Sequence, residues 1–455
     1  MPTRPTGEQR TSRLTRSPRP ASRNLLRGLP ARVLPAPRRA PSVLAGRVGA
    51  PNAVAQGQEV PLKLLVTLAL LSAIGPFAVD MYLPTFPDLA GDLSTSAARV
   101  QLTLTTFMLG MAAGQLVLGP LSDRLGRRRL LLAGSAVTFL AGIVCALTPS
   151  IGVLVLARLV QGLAGAAGLV IGRAVVADLA TGRAAARAFS TLGVIGGVAP
   201  VVAPLLGGLI AGHGGWRGIF GVTALAALAM VVAAYFVVPE TLPRERRHAG
   251  GVRDVVVTAK AVLSRRGYVG YVGTLVLVFG TVFSYVSASP FVLQNVVGLS
   301  TGTYSLVFAT NALGIAAGGA VSTRLLRRHG PSRILAAGVL IQVVCAAGLF
   351  TTVLAFHAWT PAVLVLLWFT VFSCGLVFGN ATALAADEVR FASGTGSALQ
   401  GALQFTIGAL VSPVVGLAGE HSAVPMVTTM LACTGAAALM LFLVAKPARR
   451  AHADA

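Results

Sequence analysis

Residues 119–129 read Gly-Pro-Leu-Ser-Asp-Arg-Leu-Gly-Arg-Arg-Arg, a charged joint between two long apolar stretches, 100–121 and 128–147. A helix needs about 20 apolar residues to cross the ~30 Å hydrocarbon core of a bilayer, and both stretches reach that length. The joint therefore reads as a tight turn at a membrane surface. Gly and Pro permit a sharp helix exit. Asp123 is placed to pair with a cation or cap a helix start, and the arginines face anionic lipid or acids on a moving neighbour. Gly119, Asp123, Arg124, Gly126, Arg127 and Arg128 are accordingly read as a conformational latch, the plainer alternative being a basic loop that only sets topology.

Working outward, apolar runs recur almost end to end. The chain has 455 residues, 55% hydrophobic and 11% charged, with a mean hydropathy of +0.78, whereas a soluble domain carries about 25% charge. An ordinary water-soluble enzyme is excluded. Twelve spans are expected, at about 62–84, 100–121, 128–147, 151–177, 187–212, 216–238, 268–292, 302–325, 332–354, 359–384, 394–418 and 424–445. The fold class is thus an all-α integral membrane bundle.

The net charge of +23 lacks the aromatic interleaving of a nucleic-acid surface, and its bases cluster between apolar runs. Anionic lipid is the better partner. With a cytoplasmic N-terminus, the outer joints hold only Arg99 and Arg217, and Arg158 lies within a span. That bias places both termini inside. Residues 1–60, with eleven Arg and nine Pro, cannot bury enough surface to fold and are expected to be a disordered cytoplasmic tail. An Arg-rich targeting segment and an over-extended reading frame are the alternatives there. The domain reading is a six-helix half at 61–238, a basic cytoplasmic loop at 239–267, a second half at 268–446 and a tail at 447–455. A faint echo supports two related halves: Gly114 to Gly134 through Arg124, Arg127 and Arg128, against Gly314 to Gly338 through Arg324, Arg327 and Arg328. Alternating access uses such repeats.

Of fourteen carboxylates, Asp80 alone falls within a hydrocarbon span, and Arg158 is the one base similarly placed. A carboxylate there is costly when ionised, so its proton occupancy depends on exposure. At 1.5 Å per residue, Asp80 lies roughly 6 Å and Arg158 roughly 10 Å from the outer ends of their spans, depths that suit direct or water-mediated pairing. Asp80 is read as the proton carrier and Arg158 as the group that tunes it. The alternatives are a hydrogen-bonded Asp80 at a wet helix end and an Arg158 tied to backbone carbonyls. Span 5 holds Gly193, Gly196, Gly197, Pro200, Pro204, Gly207 and Gly208, which points either to flexing or to close static packing. Tyr82, Gln115, Gln161, Tyr285, Asn311, Asn380, Gln400 and Gln404 sit in apolar spans, and each faces a substrate cavity or another helix. His213, His357 and His421 fall in outer joints, without a catalytic or metal role. Cys145, Cys345, Cys374 and Cys433 lie in apolar runs without ligand spacing, so neither a disulfide nor a metal site is expected.

The 119–129 string resembles the cytoplasmic signature of the major facilitator superfamily. Arg158-Leu-Val-Gln161-Gly162 resembles its fourth-helix motif. Gly193 through Gly208 resembles the motif of its drug/proton antiporters, with Ala203 before Pro204 where the pattern has Gly. Asp80-Met-Tyr-Leu-Pro84, Glu240-Thr-Leu-Pro243, Phe283 through Phe291, Asn380 and Gly394-Thr-Gly-Ser-Ala398 resemble the Bcr/CflA family of bicyclomycin and chloramphenicol exporters. The resemblance spans 62–445. It implies the major facilitator fold with helices bordering one central cavity, Arg158 assisting proton transfer, and antiport of drug-like molecules.

The leading expectation is a proton-driven exporter in the bacterial cytoplasmic membrane. It would work as a monomer on a small drug-like substrate and need no cofactor beyond the proton gradient. An importer, or an exporter of one endogenous metabolite, is the alternative on the same fold. A membrane enzyme would need acidic chemistry at a membrane edge. Asp387-Glu388, the one adjacent acidic pair, reads better as a charge latch to the Arg cluster across the molecule. No Walker sequence points to ATP, and no filter-like repeat points to a channel.

Overall fold

A computed structural model describes residues 60–247, 252–355, 360–416 and 421–445. The tail expected over 1–60 lies outside them except for Val60, as do His357 and the C-terminal tail. The helices are α1 (Leu62–Asp80), α2 (Phe86–Asp92), α3 (Ala97–Leu125), α4 (Arg127–Leu147), α5 (Ile151–Leu179), α6 (Gly182–Val237), α7 (Val252–Leu263), α8 (Arg266–Phe291), α9 (Thr301–Leu325), α10 (Pro331–Ala355), α11 (Thr360–Glu388), α12 (Ser393–Gly416) and α13 (Val424–Leu439). No strand occurs among the described residues.

Among the described residues, eleven helical segments are long and apolar enough to cross a membrane. At 1.5 Å per residue, a straight α6 would measure about 84 Å, nearly three hydrocarbon thicknesses. Gly215 breaks it, with φ 56° and ψ −160°. That left-handed φ is open to Gly without steric penalty, so α6 supplies two crossings on either side of Gly215. His213 lies within α6 next to the break, with Nδ1 3.2 Å from the Leu209 carbonyl.

Two details differ from the sequence expectation. The first span ends its α-helix at Asp80, four residues early. Pro84 has no N–H for the carbonyl of Asp80, and its ring clashes with that carbonyl. A tighter turn, Leu83–Thr85, follows and leads into α2. The second difference is α7, a helix inside what reads as a plain connecting loop.

Helices α1 and α3–α6 pack among themselves, α3 on α5, α1 on α6 and α4 on α5. Helices α8–α13 do likewise, α10 on α11, α9 on α11 and α8 on α13. The two groups meet along α3 with α12 and α6 with α9. Small residues allow the tightest approaches. A Cβ on Gly162 of α5 would strike the Phe107 carbonyl of α3, and one on Gly318 of α9 the Phe372 carbonyl of α11.

Candidate functional site

Two sites stand out, one at each end of the bundle. At the Arg-rich end, Gly126 caps α3 and opens α4 with φ 98°, a conformation that favours Gly over any residue with a Cβ. The turn swings Arg127 inward, where the residue is buried. Arg127 bonds Asp123 at 2.6 Å and Asp178, in the last turn of α5, at 3.1 Å. A guanidinium nitrogen donates to Ser122 Oγ, and its backbone N–H donates to Glu240 Oε1 at 2.9 Å. Asp178 also accepts from Thr241 Oγ1 at 2.9 Å, and Glu240 lies 3.5 Å from Arg247. Arg128 donates to the Tyr235 carbonyl at 2.6 Å and lies over the Tyr235 ring. Arg124 occupies the last turn of α3, and Gly119 makes only ordinary contact with Val170. One buried cation thus ties α3, α4, α5 and the segment after α6. Charge-assisted bonds of this kind are about twice as strong as neutral ones.

The expected link from this cluster to Asp387-Glu388 is not how Asp387 is engaged. Asp387 pairs at 2.8 Å with Arg390, three residues on, and both side chains are well exposed. The i,i+3 partner is always within reach, whereas a partner on another helix group must be carried to it. Asp178 was not picked out from the sequence, although an acid closing a span beside an Arg-rich joint is a usable signal.

At the opposite end, Asp80 closes α1 and is 7% exposed. No hydrogen bond or ion pair engages it among the described residues, and it lies within electrostatic range of Tyr285 and Tyr304 on the other helix group. Arg158 of α5 is fully buried. Its guanidinium carbon lies 4.2 Å from the Phe107 ring centre, 4.7 Å from Tyr82 and 5.6 Å from Phe220. Nη1 donates to Gln161 Oε1 at 2.6 Å, while Nε and Nη2 have no hydrogen-bond partner among the described residues. Ring faces attract a cation by about 2 kcal/mol or more when it is desolvated. An aromatic cage therefore takes much of the place of a counter-ion.

No direct ion pair joins Asp80 and Arg158 among the described residues. Depth counting sets the height of a residue, not its bearing around the axis. Asp80 and Tyr82 are two residues apart with helical backbone angles at Met81 and Tyr82, so they point to opposite sides of the axis, and Tyr82 meets Arg158 and Thr103, the latter at 3.0 Å. Asp80 lies near Tyr285 and Tyr304 of the second group.

Around Asp80 that second group is aromatic and hydrogen-bonded. Asn311 donates to the Tyr285 hydroxyl at 2.8 Å, Tyr285 stacks on Phe308 at 5.5 Å, and the Tyr304 and Ser289 hydroxyls lie 3.1 Å apart. Tyr304 and Phe308 were not singled out in the sequence, whereas Ser289 lies in the 283–291 stretch. Asn380 is spent on Ser322 at 2.8 Å and on the Leu376 carbonyl, and Gln400 on Thr382. Gln115 abuts Gly401 across the group boundary, and Gln404 is half-buried on α12.

The groups are tied together at this end. Gln101 Nε2 donates to the Ser287 carbonyl at 3.1 Å, and Ser412 Oγ donates to the Gln101 carbonyl at 3.3 Å. Gln294 Nε2 donates to the Pro84 carbonyl at 3.1 Å, and the Phe86 and Phe291 rings lie 5.9 Å apart. Gly207 of α6 fits against the Met81 backbone and Gly208 against Ser305, while Gly193 borders open space. Pro200 and Pro204 lie inside α6. Only the second half of the Gly193–Gly208 motif does close packing. Nearby, Trp216 Nε1 donates to Asp92 at 3.0 Å and its ring meets Phe220 edge-on at 6.1 Å.

The family model described as Major Facilitator Superfamily matches residues 68–413. An uncharacterized MFS-type transporter, YdgK of Bacillus subtilis, is 37% identical over 84% of this chain and 95% of its own length. A bicyclomycin resistance protein homolog of Haemophilus influenzae is 31% identical over 83% of this chain and 94% of its own. A bacterial homolog of the human lysosomal transporter Spinster superposes with a TM-score of 0.68 at 16% identity, covering 86% of this chain and 99% of that one.

Proposed function

The chain belongs to the Major Facilitator Superfamily, and from that premise we propose that it is a proton-coupled exporter of drug-like compounds in the bacterial cytoplasmic membrane. The observation that carries this reading is Asp80, a buried carboxylate without a hydrogen-bond or ion-pair partner among the described residues, at the end where the two helix groups close on each other. A relative named for bicyclomycin resistance and the resemblance to chloramphenicol exporters support the substrate class.

Charge on a group in an apolar setting is costly. Closure around Asp80 is therefore linked to its proton, and by reciprocity opening of that end favours exchange of the proton with water. Arg158 in its aromatic cage touches Tyr82, two residues after Asp80. Rocking of α1–α6 against α8–α13 breaks the Gln101, Ser412 and Gln294 bonds, and the Arg127 network holds the first group together as it moves. Tyr285, Asn311, Gln115 and Gln404, at or near the group boundary, are the side chains placed to meet substrate. Tyr82 and Gln161 serve Arg158, and Asn380 serves Ser322.

The test is proton movement in inside-out vesicles holding a pH gradient, challenged with antibiotics including chloramphenicol. A compound that dissipates the gradient with the unaltered chain and not with Asp80→Asn supports the reading. If Asp80→Asn couples normally, Asp80 is not the carrier. Silence toward every compound from a folded, inserted protein turns the reading toward uptake or export of a single metabolite.

A further inference from the structure

The connection between the two helix groups contains α7, whose twelve residues extend about 18 Å, too short to cross a ~30 Å core. On a helical period, Val255, Val256, Ala259, Val262 and Leu263 share one face, while Lys260 and Ser264 lie on the other side. Val262 is buried where α7 packs on α8 and α12. Val255, Val256 and Leu263 remain exposed.

The surroundings indicate what covers them. Arg265, between α7 and α8, takes an extended conformation with φ −79° and ψ 107°, so the helix breaks just before the membrane crossing that starts at Arg266. Lys260, Arg265 and Arg266 are all exposed. The Arg265 guanidinium lies 5.5 Å over the ring of Phe391, itself 57% exposed at the start of the α12 crossing. Exposed Leu403 and Leu410 continue the apolar surface along α12. An apolar strip edged by cations and adjoining the outer surface of membrane-crossing helices matches the boundary between acyl chains and anionic headgroups.

We propose that α7 lies in the headgroup layer of the membrane the bundle crosses and binds anionic phospholipid, with Val255, Val256, Leu263 and Phe391 inserted and Lys260, Arg265 and Arg266 on the phosphates. The assignment needs only a membrane-spanning bundle, so it stands or falls apart from proton coupling. Each base near an anionic surface strengthens partitioning about fivefold.

The test is a fluorophore sensitive to its surroundings on Val256→Cys in the full-length chain; the four native cysteines are buried and free. The protein is reconstituted in phosphatidylcholine vesicles with and without phosphatidylglycerol. The expected result is several-fold weaker quenching by aqueous iodide when phosphatidylglycerol is present, with that difference lost in K260E/R265E. Leu263→Cys is the second label position if the first variant folds poorly. Equal iodide access in both vesicle types overturns the proposal. Protection that follows protein density and ignores lipid charge also overturns it, in favour of a second copy of the chain.

Discussion

Gly162 against the Phe107 carbonyl in the first helix group has its counterpart in Gly318 against the Phe372 carbonyl in the second. Gly134 of α4 likewise fits against α5 as Gly338 of α10 fits against α11. The polar side chains differ sharply between the same two groups. The first holds Asp80, caged Arg158 and the Arg127–Asp123–Asp178–Glu240 network. The second satisfies its interior with neutral pairs, Asn311 with Tyr285, Asn380 with Ser322 and Thr281 with Thr434. Backbone packing and charge handling are therefore separable in this fold: both helix groups use close glycine contacts, and the buried ionic parts described lie in the first.

The sharpest way to break the comparison is to remove the interior charges. Asp80→Asn or Arg158→Ala is expected to abolish drug-driven proton movement in vesicles, whereas Asn380→Ala costs less than about tenfold in rate, ~1.4 kcal/mol. A dead Asn380→Ala variant that is folded would show that the second group also carries coupling. Next in size are Gly162→Ala and Gly318→Ala, each forcing a methyl onto a carbonyl and costing about 1–3 kcal/mol. Similar losses of thermal stability in detergent support duplicate scaffolds, and a loss in only one contradicts them.

Charge at the Arg-rich end gives smaller effects. Asp178→Leu strips Arg127 of one of its acids and is expected to lower stability by about 1–2 kcal/mol. Asp387→Leu removes an exposed pair worth less than about 1 kcal/mol. Equal melting shifts for these two would erase the asymmetry. The smallest effect is expected at Gln101→Ala, a modest rise in thiol labelling of a Ser412→Cys reporter as the Asp80 end loosens.

The spans and the 119–129 joint are legible in the sequence because length and apolar content alone decide whether a helix can cross a bilayer. Asp80 and Arg158 are legible for the complementary reason, that charge in such a run is rare. Their separation is not, because counting residues gives a depth and not a bearing around the helix axis. Asp178 is hidden by its distance in sequence from Arg127. Helix α7 is hidden because a twelve-residue amphipathic pattern is masked by its flanking arginines. The break in α6 is legible too, since the spans 187–212 and 216–238 part at residues 213–215, where Gly215 takes its positive φ.

Trp216 gives the molecule an optical handle. Its indole is clamped by the Asp92 bond and set edge-on to Phe220, the ring that covers one side of Arg158. Indole emission depends on the local field and on access to water, so movement of the guanidinium or of Phe220 changes its colour and yield. With Trp359 and Trp368 replaced by Phe, the protein can thus signal rearrangement around its buried cation through its own fluorescence.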